Sequence, residues 1–330
     1  REHGATAVYV SHDLAVVAQM ADAIVVLNKG RIRENGRAVQ VLQQPEDEYT
    51  RTLMAAARPE RAAVDAPKVI AAPLLEIKGM CASYGATPIL RDINLTIARG
   101  ATLGVIGESG SGKSTLARVI AGMLPPSTGA ISFDGPRLPP SLSMRDKEQF
   151  RRIQLVFQNA DTALNPAHSV GEIIGRPLAF YHGLKGPAAA KRVAELLDLI
   201  KLPASLADRP CGGLSGGQKQ RINLARALAA KPDLIMCDEV TSALDTVVGA
   251  AILDLLAELK RELGLAYLFI SHDIGTVRAI ADDIMVLYAG TQVETGRRQG
   301  YDGVVRHPYT DLLIGSVPEL RPGWLEEQGT

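Results

Sequence analysis

The amino-acid sequence predicts an α/β fold with a parallel-sheet core, on three observations. Residues 102–106, Thr-Leu-Gly-Val-Ile, form a short apolar run whose β-branched bias suits a buried strand; it leads into a glycine-rich turn and a helical stretch to about Gly122. Residues 233–237 form a second such run, ending on Asp238 and Glu239. Carboxylates delivered at the C-terminal end of an apolar strand suit a parallel sheet, where ligands bind at that edge. A third run, residues 266–270, ends on Ser271-His272-Asp273 in the next β-unit.

Composition narrows the class of protein. The chain has 330 residues, enough for one large domain or two smaller ones. Lys+Arg and Asp+Glu total 36 each, so the chain has no global basic field and no nucleic-acid partner is expected. Cys81, Cys211 and Cys237 are far apart and form no C-x-x-C pair. They suggest neither a disulfide framework nor a zinc site, and they fit a reducing cytosol. No uninterrupted apolar stretch reaches the length of a membrane span. The N-terminal Arg-Glu-His-Gly has no signal-peptide pattern and no initiator Met. The chain is therefore expected to be a processed product or a piece of something longer.

The two ends of the chain resemble each other. Residues 1–36 align with 261–296 without a gap, Arg1 falling on Arg261, and 15 of the 36 pairs are identical. The register continues at Tyr49-Thr50 against Tyr309-Thr310, and at Leu53 against Leu313. Solenoid periods are far shorter than this; the spacing is that of a whole domain. Residues 1–57 are therefore expected to be the C-terminal remnant of a first domain and 74–300 a complete second copy, followed by an extension over 301–330. Residues 58–73, with Pro59, Pro67, Pro73 and many alanines, are expected to be a linker.

The turn after the first strand, Gly107-Glu108-Ser109-Gly110-Ser111-Gly112-Lys113-Ser114-Thr115, matches the phosphate-binding pattern G-x-x-x-x-G-K-[ST]. Gly107, Gly110 and Gly112 let the backbone curl so that its N–H groups, those of Ser109 and Thr115 included, point at phosphate oxygens. Lys113 is expected to reach the β- and γ-phosphates and Ser114 to ligate Mg²⁺, with the positive end of the following helix behind them. A plain Gly/Ser surface turn is the competing reading. The strand–loop–helix context and the Lys-Ser pair weigh against it. Asp238 is expected to hold the Mg²⁺ shell through water, and Glu239 to act as general base on the attacking water.

Leu214-Ser215-Gly216-Gly217-Gln218, continued by Lys219-Gln220-Arg221, resembles the signature sequence of ATP-binding cassette (ABC) proteins. Physically, Ser215, Gly216 and Gly217 open a helix to about Ala230 whose N-terminus can face a phosphate. The resemblance implies a P-loop NTPase with a RecA-like parallel core, an antiparallel β subdomain and an α-helical signature subdomain. It implies ATP and Mg²⁺ as cofactors, with Ser215 to Gln218 closing over ATP held by an opposing cassette. Tyr84 stands where the family stacks an aromatic on adenine. Gln158 resembles the glutamine that touches Mg²⁺ and the attacking water, Ser242-Ala243-Leu244-Asp245 the loop that crosses the dimer interface, and His272 the switch histidine at the γ-phosphate. Val240 and Gly213 depart from the common Pro and Glu of relatives; neither position carries catalytic chemistry.

Ala163-Leu164-Asn165-Pro166 after Gln158, and His307-Pro308-Tyr309-Thr310 with Leu312-Leu313 in the tail, are similar to the dipeptide and oligopeptide importer branch of that family. The resemblance implies the ATPase subunit of a peptide-type importer at the cytoplasmic face of the membrane, and more narrowly the C-terminal part of a fused two-cassette ATPase. Its implied partners are transmembrane permease subunits, a second cassette and, indirectly, a periplasmic or extracellular substrate-binding protein. Helices over 169–206 would dock on the permease, with residues 158–168 lining a groove for it. A cytosolic accessory ATPase, such as one in phosphonate breakdown, is the alternative. DNA-repair cassettes would need heptad arms or zinc cysteines, and ribosome-acting ones a long charged linker.

Overall fold

In the computed structural model, residues 6–57, 72–298, 306–321 and 323–324 are described. The chain divides into two compact units. The first comprises residues 1–61, 245–251 and 312–330, the second residues 62–244 and 252–311.

The first unit starts from a capped helix. Asp13 accepts hydrogen bonds from the Ala15 and Val16 amides and so starts α1 (Leu14–Met20). Strand β1 (Ala23–Asn28) is almost wholly apolar; its two-residue period turns Ile24 and Val26 inward and leaves Val25 and Leu27 exposed, and it pairs antiparallel with β2 (Arg31–Arg37). Helices α2 (Ala38–Gln43) and α3 (Glu48–Ala57) follow. Leu14, Ile24, Val26, Val41, Leu42 and Met54 form the core of this unit.

The second unit opens with a long hairpin. Strands β3 (Pro73–Tyr84) and β4 (Thr87–Ala98) are joined by Gly85-Ala86, which places Tyr84 at the tip. Pro73, expected in the linker, is already the first residue of β3, a strand position that tolerates a missing N–H. Residues 58–71 of the expected linker lie outside the described residues.

Then come β5 (Thr102–Ile106), α4 (Lys113–Ile120), β6 (Thr128–Phe133), α5 (Lys147–Arg152), β7 (Ile153–Val156) and α6 (Ala160–Ala163). The helical region expected over 169–206 forms α7 (Val170–His182), α8 (Gly186–Leu199) and a short 3₁₀ turn at Ala204–Leu206. Ser169 and Glu172 form a capping box at the start of α7, and Gly183, with φ +68°, ends it. The chain continues through α9 (Gly216–Leu228), β8 (Leu234–Asp238), α10 (Thr246–Leu263), β9 (Ala266–Ile270), α11 (Ile274–Ile280), β10 (Asp283–Tyr288), β11 (Thr291–Arg297) and α12 (Pro308–Gly315).

Among the described residues the second unit builds one nine-stranded sheet in the order β6-β3-β4-β11-β10-β5-β9-β8-β7. The run from β10 to β7 is parallel throughout. Buried on both faces, its central strands read as unbroken apolar runs. The β3, β4 and β6 end is antiparallel, and β4 alternates Ile93, Leu95 and Ile97 inward. Helix α7 packs on α8 and α9. This is the α/β architecture expected from the sequence, with both subdomains.

The sequence repeat is also a structural one. β10 and β11 pair in the register of β1 and β2: Asp283 opposite Arg297 repeats Ala23 opposite Arg37, and the bulge at Val286/Leu287 repeats that at Val26/Leu27. Both hairpins turn through two residues of positive φ, Lys29-Gly30 and Ala289-Gly290. Asp273 caps α11 as Asp13 caps α1. The difference lies at the outer edge: β10 also pairs with β5, whereas the first unit's sheet is β1 and β2 alone among the described residues.

One close approach sets the layer spacing. Helix α11 lies on β5 at Gly104, where a Cβ would stand 2.3 Å from Val277 Cγ1 and 2.9 Å from the Ala281 methyl. Gly104→Ala is expected to destabilise the protein by about 2 kcal/mol through overpacking. Urea titration measures this, and Val277→Ala in the same chain should recover part of the loss.

Candidate functional site

The site lies at the C-terminal ends of β5, β9 and β8, three neighbours in the sheet. Beyond Ile106 the chain turns at Gly107, φ +150°. A Cβ there would meet the Leu287 carbonyl oxygen at 2.1 Å, so only glycine fits. Gly112, φ +103°, then admits the chain to α4. Lys113 Nζ donates to the Gly107 and Glu108 carbonyl oxygens at 2.7 Å each. Burial lowers the pKa of this ammonium, against the raising effect of Glu239, Asp238 and Glu108. Ser111 Oγ is buried without a hydrogen-bond partner, while Ser109 and Gly110 are exposed at the mouth and Thr115 is buried in α4. A helix N-terminus, an ammonium and an orphaned hydroxyl around one curled loop are the donors a polyphosphate needs.

Asp238 ends β8 beside this loop, and its Oδ1 accepts from Ser114 Oγ at 3.0 Å. Burial pushes the Asp238 carboxyl up, and Glu239 pushes it further; the Ser114 bond, Arg118 and Lys113 oppose the rise. Ser114, Asp238 and Gln158 offer oxygen donors but only one carboxylate. That suits Mg²⁺, which is commonly held by one or two carboxylates plus substrate phosphates.

Glu239 takes a left-handed backbone, φ +50°, uncommon for a residue with a side chain. Its amide donates to the Ile270 carbonyl at 3.0 Å and its carbonyl accepts from Ser242 Oγ at 2.9 Å, which together hold the turn. Its Oε2 accepts from Gln158 Nε2 at 2.7 Å, and its Oε1 lies 3.3 Å from His272 Nδ1. Gln158 Nε2 also reaches Ser242 Oγ at 3.3 Å. Three loops thus bring Gln158, Glu239 and His272 together around one carboxylate.

Tyr84 is exposed at the tip of the β3–β4 hairpin, and Arg118 Nη1 donates to its hydroxyl at 3.1 Å. No sequence motif marks the Arg118 contact; its signal is a cation in the last turn of α4. Ser215 is the N-cap of α9, its Oγ accepting from the Gln218 amide at 3.3 Å, while Gln218 Oε1 accepts from the Ser215 amide at 3.0 Å. The Gln218 side chain is therefore committed to the cap, with Gly216 and Gly217 in the first turn. These capping bonds stay within 215–218. Helix α9 instead grips the segment around Gln158. Asn223 Nδ2 donates to the Phe157 carbonyl at 3.3 Å, Lys219 Nζ reaches Asp161 at 2.6 Å, and Arg226 Nη1 donates to the Ala163 carbonyl at 2.7 Å.

Because burial and Glu239 both disfavour the Asp238 charge, Asp238→Asn is expected to raise the melting temperature by roughly 2 °C without nucleotide. Mg²⁺-dependent nucleotide binding should be lost in the same variant. Calorimetric melting with and without Mg²⁺ and ATP measures both effects.

Residues 90–242 match the ABC transporter family, and residues 293–330 match the oligopeptide/dipeptide transporter C-terminal region. A provisionally named peptide import ATP-binding protein of Brucella abortus (strain 2308) is 46% identical over 232 residues, 70% of this chain and 70% of that protein. The glutathione import ATP-binding protein of Salmonella typhimurium is 37% identical over 352 residues, covering 96% of this chain; the chain spans 56% of that protein's length. Among solved structures, cbiO1 from Clostridium perfringens, part of an ABC transporter complex, superposes with a TM-score of 0.63 at 29% identity, covering 74% of this chain and 93% of that one. A dimeric ATP-binding cassette bound to ADP and Pi superposes at 0.60 with 32% identity, covering 68% and 98%. At that identity and coverage, the chain belongs to the family of ABC transporter ATP-binding proteins and is an ATP-hydrolysing enzyme.

Proposed function

We propose that this chain energises the uptake of peptides or related small solutes through a membrane permease, as a peripheral subunit at the cytoplasmic face. The observation that carries the reading is the convergence of Gln158 and His272 on Glu239, next to the Ser114–Asp238 pair. The import names of the relatives and the match of residues 293–330 to a peptide-transporter region support the branch, and they favour it over a cytosolic accessory ATPase. No helix among the described residues is long and apolar enough to cross a membrane.

In this reading Tyr84 stacks on the adenine. Lys113 leaves its two loop carbonyls for the β- and γ-phosphates, and the amides of 109–115 close around them. Ser114, Asp238 and Gln158 would hold magnesium, which when bound would supply charge neutralisation for the phosphates. Glu239 takes the proton from the attacking water, with Gln158 and His272 orienting its carboxylate from either side. A second cassette places its Ser215 and Gly217 on the γ-phosphate. Residues 1–57 are read as the remnant of a fused first cassette, 58–72 as the linker, the complete cassette as starting with Pro73 on β3 and running to 300, and 301–330 as the extension; 58–71 and 299–305 lie outside the described residues. Helices α7 and α8 dock on the permease, with residues 158–168 lining the groove. A substrate-binding protein outside the membrane selects the cargo.

Glu239→Gln keeps the hydrogen-bonding shape but removes the base. It is expected to retain ATP in a trapped dimer and to lower turnover by about 100-fold or more; parental turnover would refute the base assignment. Uptake of labelled dipeptides, oligopeptides and glutathione is expected to fall to background in a strain lacking the parent gene. Unchanged uptake of all three would refute the cargo class.

A further inference from the structure

The tail of the second unit reaches the phosphate loop. His307 N donates to Glu294 Oε2 on β11 at 3.1 Å, and Tyr309 N donates to His307 Nδ1 at 3.2 Å. This brings the Tyr309 ring against Tyr288 at the end of β10, centroids 4.2 Å apart. The ring is 8% exposed, and its hydroxyl accepts from the Glu108 amide at 3.1 Å. Glu108 N–H and Gly107 C=O belong to one peptide group. That carbonyl is the one accepting from Lys113 Nζ at 2.7 Å. A single amide plane therefore links the tail tyrosine to the phosphate-binding lysine. From the other side, the Gly290 amide donates to the Ser111 carbonyl at 3.0 Å.

The anchor is built twice in the chain. In the first repeat, Glu34 accepts from the Glu46 and Asp47 amides, and Tyr49 N donates to Asp47 Oδ1 at 2.8 Å. Asp47-Glu48 has become His307-Pro308 in the second copy, while the tyrosine stands in both. A merely space-filling ring would need no hydroxyl aimed at a loop amide.

We propose that Tyr309 is a positioning residue for nucleotide binding: its hydroxyl fixes the Gly107–Glu108 peptide and so presets the loop that receives the phosphates. This rests on the reading of residues 107–115 as the nucleotide cradle. Gly107 lacks a side chain to hold its own peptide, and its φ of +150° leaves the orientation to neighbours. A preset loop lowers the ordering cost of binding in ground and transition states alike. Loss of the hydroxyl therefore raises KM and leaves kcat in place.

The test uses the full chain and its Tyr309→Phe variant, which keeps the ring on Tyr288 and removes only the oxygen. Affinity for a fluorescent ATP analogue and KM for ATP are expected to weaken by about fivefold, the scale of one neutral hydrogen bond. The kcat and the melting temperature should stay at parental values, while amide exchange at Glu108 accelerates. Lys113→Ala runs alongside and should abolish analogue binding. If Lys113→Ala binds like the parent, the cradle reading fails and the proposal falls with it. If Lys113→Ala loses binding but Tyr309→Phe keeps parental affinity, the tyrosine proposal alone is overturned. A Tyr309→Phe loss in kcat and melting temperature without a rise in KM would make the residue structural and also overturn it.

Discussion

The hydrogen bond from Ser114 Oγ to Asp238 Oδ1 joins residues 124 positions apart, and the site is arranged around it. It can form only because β5 and β8 flank β9 and point the same way. That order brings the phosphate loop, His272 and the Asp238-Glu239 pair to one edge. An antiparallel β8 would carry its carboxylates to the opposite edge. Helix α11, which follows His272, packs closely on β5 at Gly104.

The site holds its charges at a cost. Asp238 is half-buried beside another carboxylate, Lys113 is buried against carbonyl oxygens, and Glu239 adopts a left-handed backbone that costs about 1–3 kcal/mol. Each is offset locally by Ser114, the loop carbonyls or Ser242. A polyphosphate with a divalent cation would complete the charge balance that these bonds supply only in part.

The duplicated hairpin shows how far a local sequence carries its own structure. Register, bulge, turn and helix cap recur in both copies, although β10 has β5 beside it and β1 has no such neighbour among the described residues. What the two hairpins share is the two-residue turn and the bulge after Val26 and Val286, local features that need no larger sheet. The setting of the histidine is not so portable: His272 lies 3.3 Å from Glu239, whereas His12 has no such carboxylate partner among the described residues.

Legible in the residues alone are the α/β class, the glycine-rich loop, the carboxylate pair, the capped helix at Ser215 and the repeat. These are local: glycines at fixed spacing, apolar runs and caps act within a few residues. Which partners meet depends on packing over long separations in the chain. Gln158 and His272 against Glu239, Arg118 against Tyr84, and α9 holding the segment after Phe157 all depend on side chains brought together across the sheet. Neither the left-handed turn at Glu239 nor the reach of Tyr309 to the Glu108 amide had a residue pattern to announce it. Both follow from where neighbouring strands end, a property of the packed sheet and not of any segment in it.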